Sequence, residues 1–180
     1  MKSLVGSFLI ANSTLFDENF QRTVTLIVDH DDQGAIGLVI NQRSAGTLQE
    51  LIGTGVQIPR EVPMYKGGPV RRDMIAVLHK DPESNTGSKQ VSDGIYWGSS
   101  LALISELIES NRDFNVYSGY AGWSPGQLED EIANKSWIIS KASSSMIFTI
   151  NTIDVWRKCL KIKGGIYKYF ADKVKDPLLN

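Results

Sequence analysis

A chain of 180 residues with 42% apolar and 22% charged residues, six prolines and sixteen glycines has the make-up of an ordinary globular protein, which excludes collagen-like, disordered and disulfide-stapled classes. A formal charge of −1 argues against a generally basic nucleic-acid binder, and no window approaches the roughly 20 apolar residues that span a bilayer, so no membrane partner is expected. The only cysteine, Cys159, has no partner for an intramolecular disulfide and no thiolate neighbours, which points to a reducing compartment, the cytoplasm, and to no zinc or iron–sulfur cofactor.

In chain order, the first apolar stretch is broken by Gly6 and Ser7 and stops before Asn12, too early for a secretory core, and reads as a strand. Thr23–Val28 and Ala35–Ile40 read as the arms of a β-hairpin whose turn, Asp29–Gly34, is acidic. Thr47-Leu48-Gln49-Glu50 matches a capping box, so a short helix runs through Leu51-Ile52 to a stop at Gly53. Val62–Tyr65 and Met74–Leu78 read as strands joined across Lys66-Gly67-Gly68-Pro69, and the turn formers from Lys80 to Lys89 predict a surface loop.

The apolar stripe Leu101, Ile104, Ile108 opposite Glu106 and Glu109 predicts a helix over Ser99–Asn111, followed by a strand at Phe114–Tyr117. Ser124-Pro125-Gly126-Gln127 has the pattern of a helix start, with Ser124 as cap, Pro125 at the first position and Gln127 at the third. Trp137–Ile139 reads as a strand and Met146–Ile150 fits strand or helix. Thr152–Leu160 and Ile166–Ala171 read as closing helices broken at Gly164-Gly165. With no repeat and no linker, one domain over residues 1–180 is expected. Its class is α+β, with a mixed β-sheet, packed helices and a strand-rich first half.

Charge is unevenly distributed. From Arg157 to Asn180 seven cations (Arg157, Lys158, Lys161, Lys163, Lys168, Lys173, Lys175) face two anions, Asp172 and Asp176, leaving twelve cations and eighteen anions elsewhere. Tyr167, Tyr169 and Phe170 interleave these cations, the pattern of a single-strand nucleic-acid binder and equally of an amphipathic terminal helix with a solvated face.

Several local patterns together resemble the AlgH/YqgE family. They are Phe8-Leu9-Ile10-Ala11 with Asp17–Arg22, the run His30–Asn41, Gly67-Gly68-Pro69-Val70 with Leu78-His79, the run Gly119–Glu131, Ser136-Trp137, Phe148, Trp156 and Asp176–Asn180. Asp29 and Ser13 depart in a minor way, standing where members more often have Glu and Pro. The resemblance implies a bacterial cytosolic α+β protein grouped with regulators of transcription, and it brings no catalytic residues with it.

Gly119, Tyr120, Gly122 and Trp123 lead, on this reading, from a strand into a helix N-terminus, where free backbone amides can hold a phosphate or carboxylate; the plain alternative is a tight turn with a packed Trp. Gly67 and Gly68 are a second anion-cradle candidate, but without the Lys-Ser/Thr ending of a P-loop they equally describe a turn. His79, at the end of an apolar strand, is a candidate general base with no Gly-x-Ser-x-Gly nucleophile to serve. His30, among Asp29, Asp31 and Asp32, has no second spaced ligand, and no metal site is expected.

These readings favour a non-enzymatic binding or regulatory module that takes a protein partner or a small anionic ligand. The rival is a hydrolase or transferase for an anionic substrate, with His30 or His79 as base, which requires a histidine in the same pocket as the Gly119 segment. A third reading is nucleic-acid contact through Arg157–Lys175, and the aromatic residues of the second half leave the oligomeric state open.

Overall fold

The structure is a computed structural model and describes residues 2–53, 58, 61–84, 86–149 and 152–173. Among these residues nine strands and six helices form in the order β1 (Ser7–Ala11), β2 (Val24–Asp31), β3 (Gly34–Val39), α1 (Leu48–Ile52), β4 (Met64–Lys66), β5 (Val70–His79), β6 (Lys89–Ser92), β7 (Ile95–Gly98), α2 (Leu101–Glu109), β8 (Phe114–Trp123), α3 (Gln127–Ala133), β9 (Trp137–Lys141), α4 (Ser144–Ile147), α5 (Val155–Lys163) and α6 (Ile166–Lys173). The strands make one curled sheet in the order β6-β7-β5-β8-β3-β2-β1-β9, with β4 beside β8. Every pair is antiparallel except β4 with β8, so the sheet is mixed by one short strand and the class is α+β.

Both faces of the sheet are covered, which is why its strands read as near-continuous apolar runs. Phe8 and Ile10 of β1 face one cluster with Val155, Trp156, Cys159 and Leu160 of α5, while Leu9 and Ala11 face another with Leu128 of α3. The alternation is the period-2 consequence of the pleat. A third cluster packs Leu103, Ile104 and Leu107 of α2 on Val77 of β5 and Val116 of β8. The Trp156 indole donates to the Ala11 carbonyl at 2.8 Å, fixing α5 against the end of β1.

The caps follow the sequence in part. Thr47 and Glu50 form the reciprocal capping box of α1, Ser100 caps α2 by accepting from the Leu103 amide, and Gly164 and Gly165 take φ of 74° and 57° at the break between α5 and α6. Three differences from the sequence reading follow. The first hairpin is tighter than expected, because β2 continues through Asp29 and His30 to Asp31 and turns over Asp32-Gln33.

The second difference is that β8 does not end at Tyr117. It pairs first with β5 and β4 and then with β3, which carries it through Gly119 to Trp123. In consequence Ser124 is not the cap of α3. The helix starts at Gln127 after Gly126, at φ 78°, and only half of the expected reciprocal pair forms, with the Ser124 amide donating to the Gln127 side chain at 3.1 Å.

The third is a β6–β7 hairpin that the apolar pattern did not signal, because β6 is a short polar edge strand; its Asp93-Gly94 turn, with Gly94 at φ 62°, is the cue that marks it. Of Met146–Ile150, which the sequence left between strand and helix, Met146 lies in the one-turn helix α4, while Ile150 lies outside the described residues. Lys175 and Asp176–Asn180 lie outside them too.

Candidate functional site

The Gly67-Gly68 turn and the Gly119 segment, far apart in sequence, lie against each other. Gly67 donates its amide to the Ser118 carbonyl at 2.8 Å, and Val70 pairs with Tyr120. A Cβ at Gly67 would sit 2.3 Å from the Gly119 oxygen, and one at Gly68 would sit 2.1 Å from the Tyr120 carbonyl carbon. At Gly119, where φ is 69°, it would meet the Gly68 and Val70 oxygens at 2.7 and 2.8 Å. These glycines therefore serve backbone-on-backbone contact at a crossing, a role only a residue without Cβ fills.

That placement corrects the expected anion cradle. Gly119–Trp123 is strand, and Tyr120, Ala121, Gly122 and Trp123 stand opposite ladder partners on β5 and β3, so the segment is not a helix N-terminus with free amides.

Two grooves flank the crossing. The larger, about 550 Å³, is lined by Tyr120, Gly122, Trp123 and Val70, with Asp29 and Asp31 on its wall. The smaller, about 300 Å³, is polar and lies on the Gly68 side, where Lys66 and Arg72 bring positive charge, Gln42 and Ser118 bring polar groups and Glu18 brings one carboxylate.

Trp123 is held rather than offered. Its indole donates to Glu131 at 2.9 Å, the Trp137 indole donates to the same Oε2 at 2.6 Å, and Gln127 donates to Oε1 at 2.9 Å. Phe20 stacks on Trp123 and meets Trp137 edge-on, with centroids 6.4 and 5.6 Å apart. Glu131 is thus the acceptor that ties β8, α3 and β9 together.

Neither histidine joins the grooves. His30 is buried with both ring nitrogens engaged: Nδ1 accepts the Leu4 amide at 3.0 Å, and Nε2 bonds Glu129 at 3.0 Å. With no lone pair left it offers nothing to a metal, and among the described residues no three His, Cys, Asp or Glu side chains converge on one. His79 is fully buried at the other end of β5 from Val70, about 30 Å of strand away. Its Nδ1 accepts the Asp81 amide at 3.2 Å, and its ring stacks on Tyr96 at 5.5 Å. Burial holds its pKa below the usual histidine value against the opposing pull of Asp81 and Glu106. The residues proposed as a shared catalytic pocket are not brought together.

The basic segment forms α5 and α6. Lys161 is paired with Asp172 at 2.9 Å, which lowers the Asp172 pKa, and Lys163 donates to the Ile139 carbonyl at 2.8 Å, so part of its charge is used inside the fold. No helix among the described residues is long and apolar enough to cross a membrane.

Fold and site together define an α+β protein built on one curled, nearly all-antiparallel sheet, with its grooves at a glycine crossing and its histidines sealed. The chain belongs to the AlgH-like family: the family model DUF179, AlgH-like, matches residues 8–168. A UPF0301 protein of Chlorobaculum tepidum is 35% identical over 179 residues, covering 97% of this chain and 95% of the relative, and one of Cytophaga hutchinsonii is 32% identical over 180 residues, covering 97% and 98%.

Among solved structures, the solution structure of the AlgH protein of Pseudomonas aeruginosa superposes with a TM-score of 0.78 at 27% identity, covering 98% of this chain and 100% of that one. A crystal structure of a Corynebacterium diphtheriae protein shares the fold, with a TM-score of 0.79 at 21% identity over 95% and 93% of the two chains. The family is one of uncharacterised function.

Proposed function

We propose that this chain is a cytoplasmic, non-enzymatic regulatory module that acts on transcription indirectly, by binding a small ligand in the grooves beside the glycine crossing. The observation that carries this reading is the separation of the grooves from both histidines. One groove is lined by Tyr120 and Gly122 and the other by Gly68 and Ser118, on either side of the crossing, while the buried His30 and His79 line neither. A general base must come within hydrogen-bond reach of the proton it takes, and these two rings have no such access.

Direct contact with nucleic acid is the weaker account of regulation, because Lys161 and Lys163 are committed to Asp172 and a backbone carbonyl instead of facing a phosphate chain. A thermal-shift screen of the full chain against anionic metabolites, divalent metals and short DNA and RNA tests the reading. An anionic metabolite at 100 times its Kd should stabilise the fold by about 2.7 kcal/mol, with the compound recovered unchanged. Turnover of the compound, or stabilisation by DNA that Lys158→Ala and Lys168→Ala abolish, would replace this reading with the enzyme or the nucleic-acid one.

A further inference from the structure

We propose that the smaller groove is a binding site for a phosphate monoester, held between Lys66 and Arg72. This rests on the reading of the protein as a ligand-binding module and names the ligand class. Lys66 ends β4 and Arg72 lies early in β5, on either side of the Gly67-Gly68-Pro69 turn, so the turn brings both cations to one concavity. Lys66 stands in register with Ser118, and a Cβ at Gly119 would lie 3.3 Å from the Arg72 Cα, so both cations spring from backbone close to β8.

Near them Arg43 pairs with Glu61 and Arg71 with Asp73, whereas Lys66 and Arg72 have no salt bridge among the described residues. An arginine adjacent in sequence to one already paired, turned instead to a polar groove with a lysine opposite, has the make-up of an anion receptor.

The donor set selects phosphate. A guanidinium fork and an ammonium point charge can supply charge-assisted bonds, and the Ser118 hydroxyl adds a neutral donor from a third strand, a donor set suited to an anion with several acceptor oxygens. Gln42 is steadied by donating to the Asn19 carbonyl at 3.1 Å, which fixes the wall opposite. A volume of about 300 Å³ stands at the lower end of small-molecule sites and exceeds what a bare phosphate fills, so an organic substituent is accommodated. Glu18, also on the lining, is its one carboxylate and opposes any anion held between the two cations.

The test is a titration of the ¹⁵N-labelled full chain, followed by amide chemical shifts, with inorganic phosphate, glucose 6-phosphate and glucose. Amides of Gly68, Arg72 and Ser118 should move with glucose 6-phosphate, less so with inorganic phosphate, and stay still with glucose. Arg72→Gln and Lys66→Gln, both at exposed positions, should each weaken binding about tenfold, the loss expected of one charge-assisted hydrogen bond. Glu18→Gln should tighten it, a gain that a merely structural role does not produce. Shifts confined to α5 and α6, or groove shifts unchanged by both charge removals, overturn the site. In that event a ligand found in the thermal-shift screen keeps the regulatory-module reading alive, whereas a blank screen ends both.

Discussion

His79 shows how burial alone turns a reactive side chain into a structural one. Its Nδ1 is taken by the Asp81 amide, which leaves the proton on Nε2, and that atom is buried with no hydrogen-bond partner among the described residues. A positive charge there would be poorly solvated, so the folded chain binds the proton less readily than the unfolded one, whose histidine titrates near 6.5. Because the unfolded state then carries more protons, stability falls as pH drops through about 6.5, with a slope of at most about 1.4 kcal/mol per pH unit from this one group. Urea unfolding of wild type and His79→Phe at pH 7.5, 6.5 and 5.5 reads the effect. The variant should lose less stability across that range, and two parallel profiles would show that His79 is not the group responsible. Glu131 is the opposite case, a half-buried carboxylate that two indoles and an amide make into a fastener.

At the scale of elements the decisive unit is β8 with the β4–β5 turn. A strand of ten residues that changes partners midway needs a local bend, and Gly119 at φ 69° supplies it opposite the irregular stretch of β5 between Val70 and Ile75. The glycine-rich motifs at 67–68 and 119–122 were visible in the sequence as special backbone, yet their purpose was not. Sequence spacing cannot show that two distant turns touch. Gly68→Ala should destabilise the fold by about 1–3 kcal/mol or more through the clash with Tyr120. Gly87→Ala, whose Cβ meets nothing within 4 Å, should cost only the roughly 1–2 kcal/mol of its positive φ. Chemical denaturation of the two variants side by side checks the contrast, and equal losses would mean the crossing tolerates a side chain. By the same logic the β6–β7 hairpin was legible only through Asp93-Gly94, since its polar edge strand carries no core signal.

For the molecule as a whole, helices on both sheet faces leave the interior inaccessible to reagents. Cys159 lies on the inner face of α5, and burial pushes its thiol up to about 11, so at pH 8 it is a protonated and shielded group. A thiol reagent at that pH should leave the native chain unlabelled and label it fully in denaturant, making Cys159 a reporter of global unfolding. Native labelling at the rate of a free thiol would show that α5 detaches from the sheet. The same closure explains why Tyr117, stacked on Tyr65 at 5.1 Å and buried, has its hydroxyl pKa raised by loss of water.

Local chemistry settled what the sequence by itself determined: the α+β class, the Thr47–Glu50 capping box, the amphipathic α2 and the break at Gly164-Gly165. Each depends on residues within one or two turns of one another, where propensity and side-chain bonding act directly. The extent of β8, the start of α3, the burial of both histidines and the two grooves were decided only by tertiary structure. They arise where strands distant in the chain share hydrogen bonds, and the free energy of those pairings overrides the turn signals that Gly119–Gly122 and Ser124 carry locally.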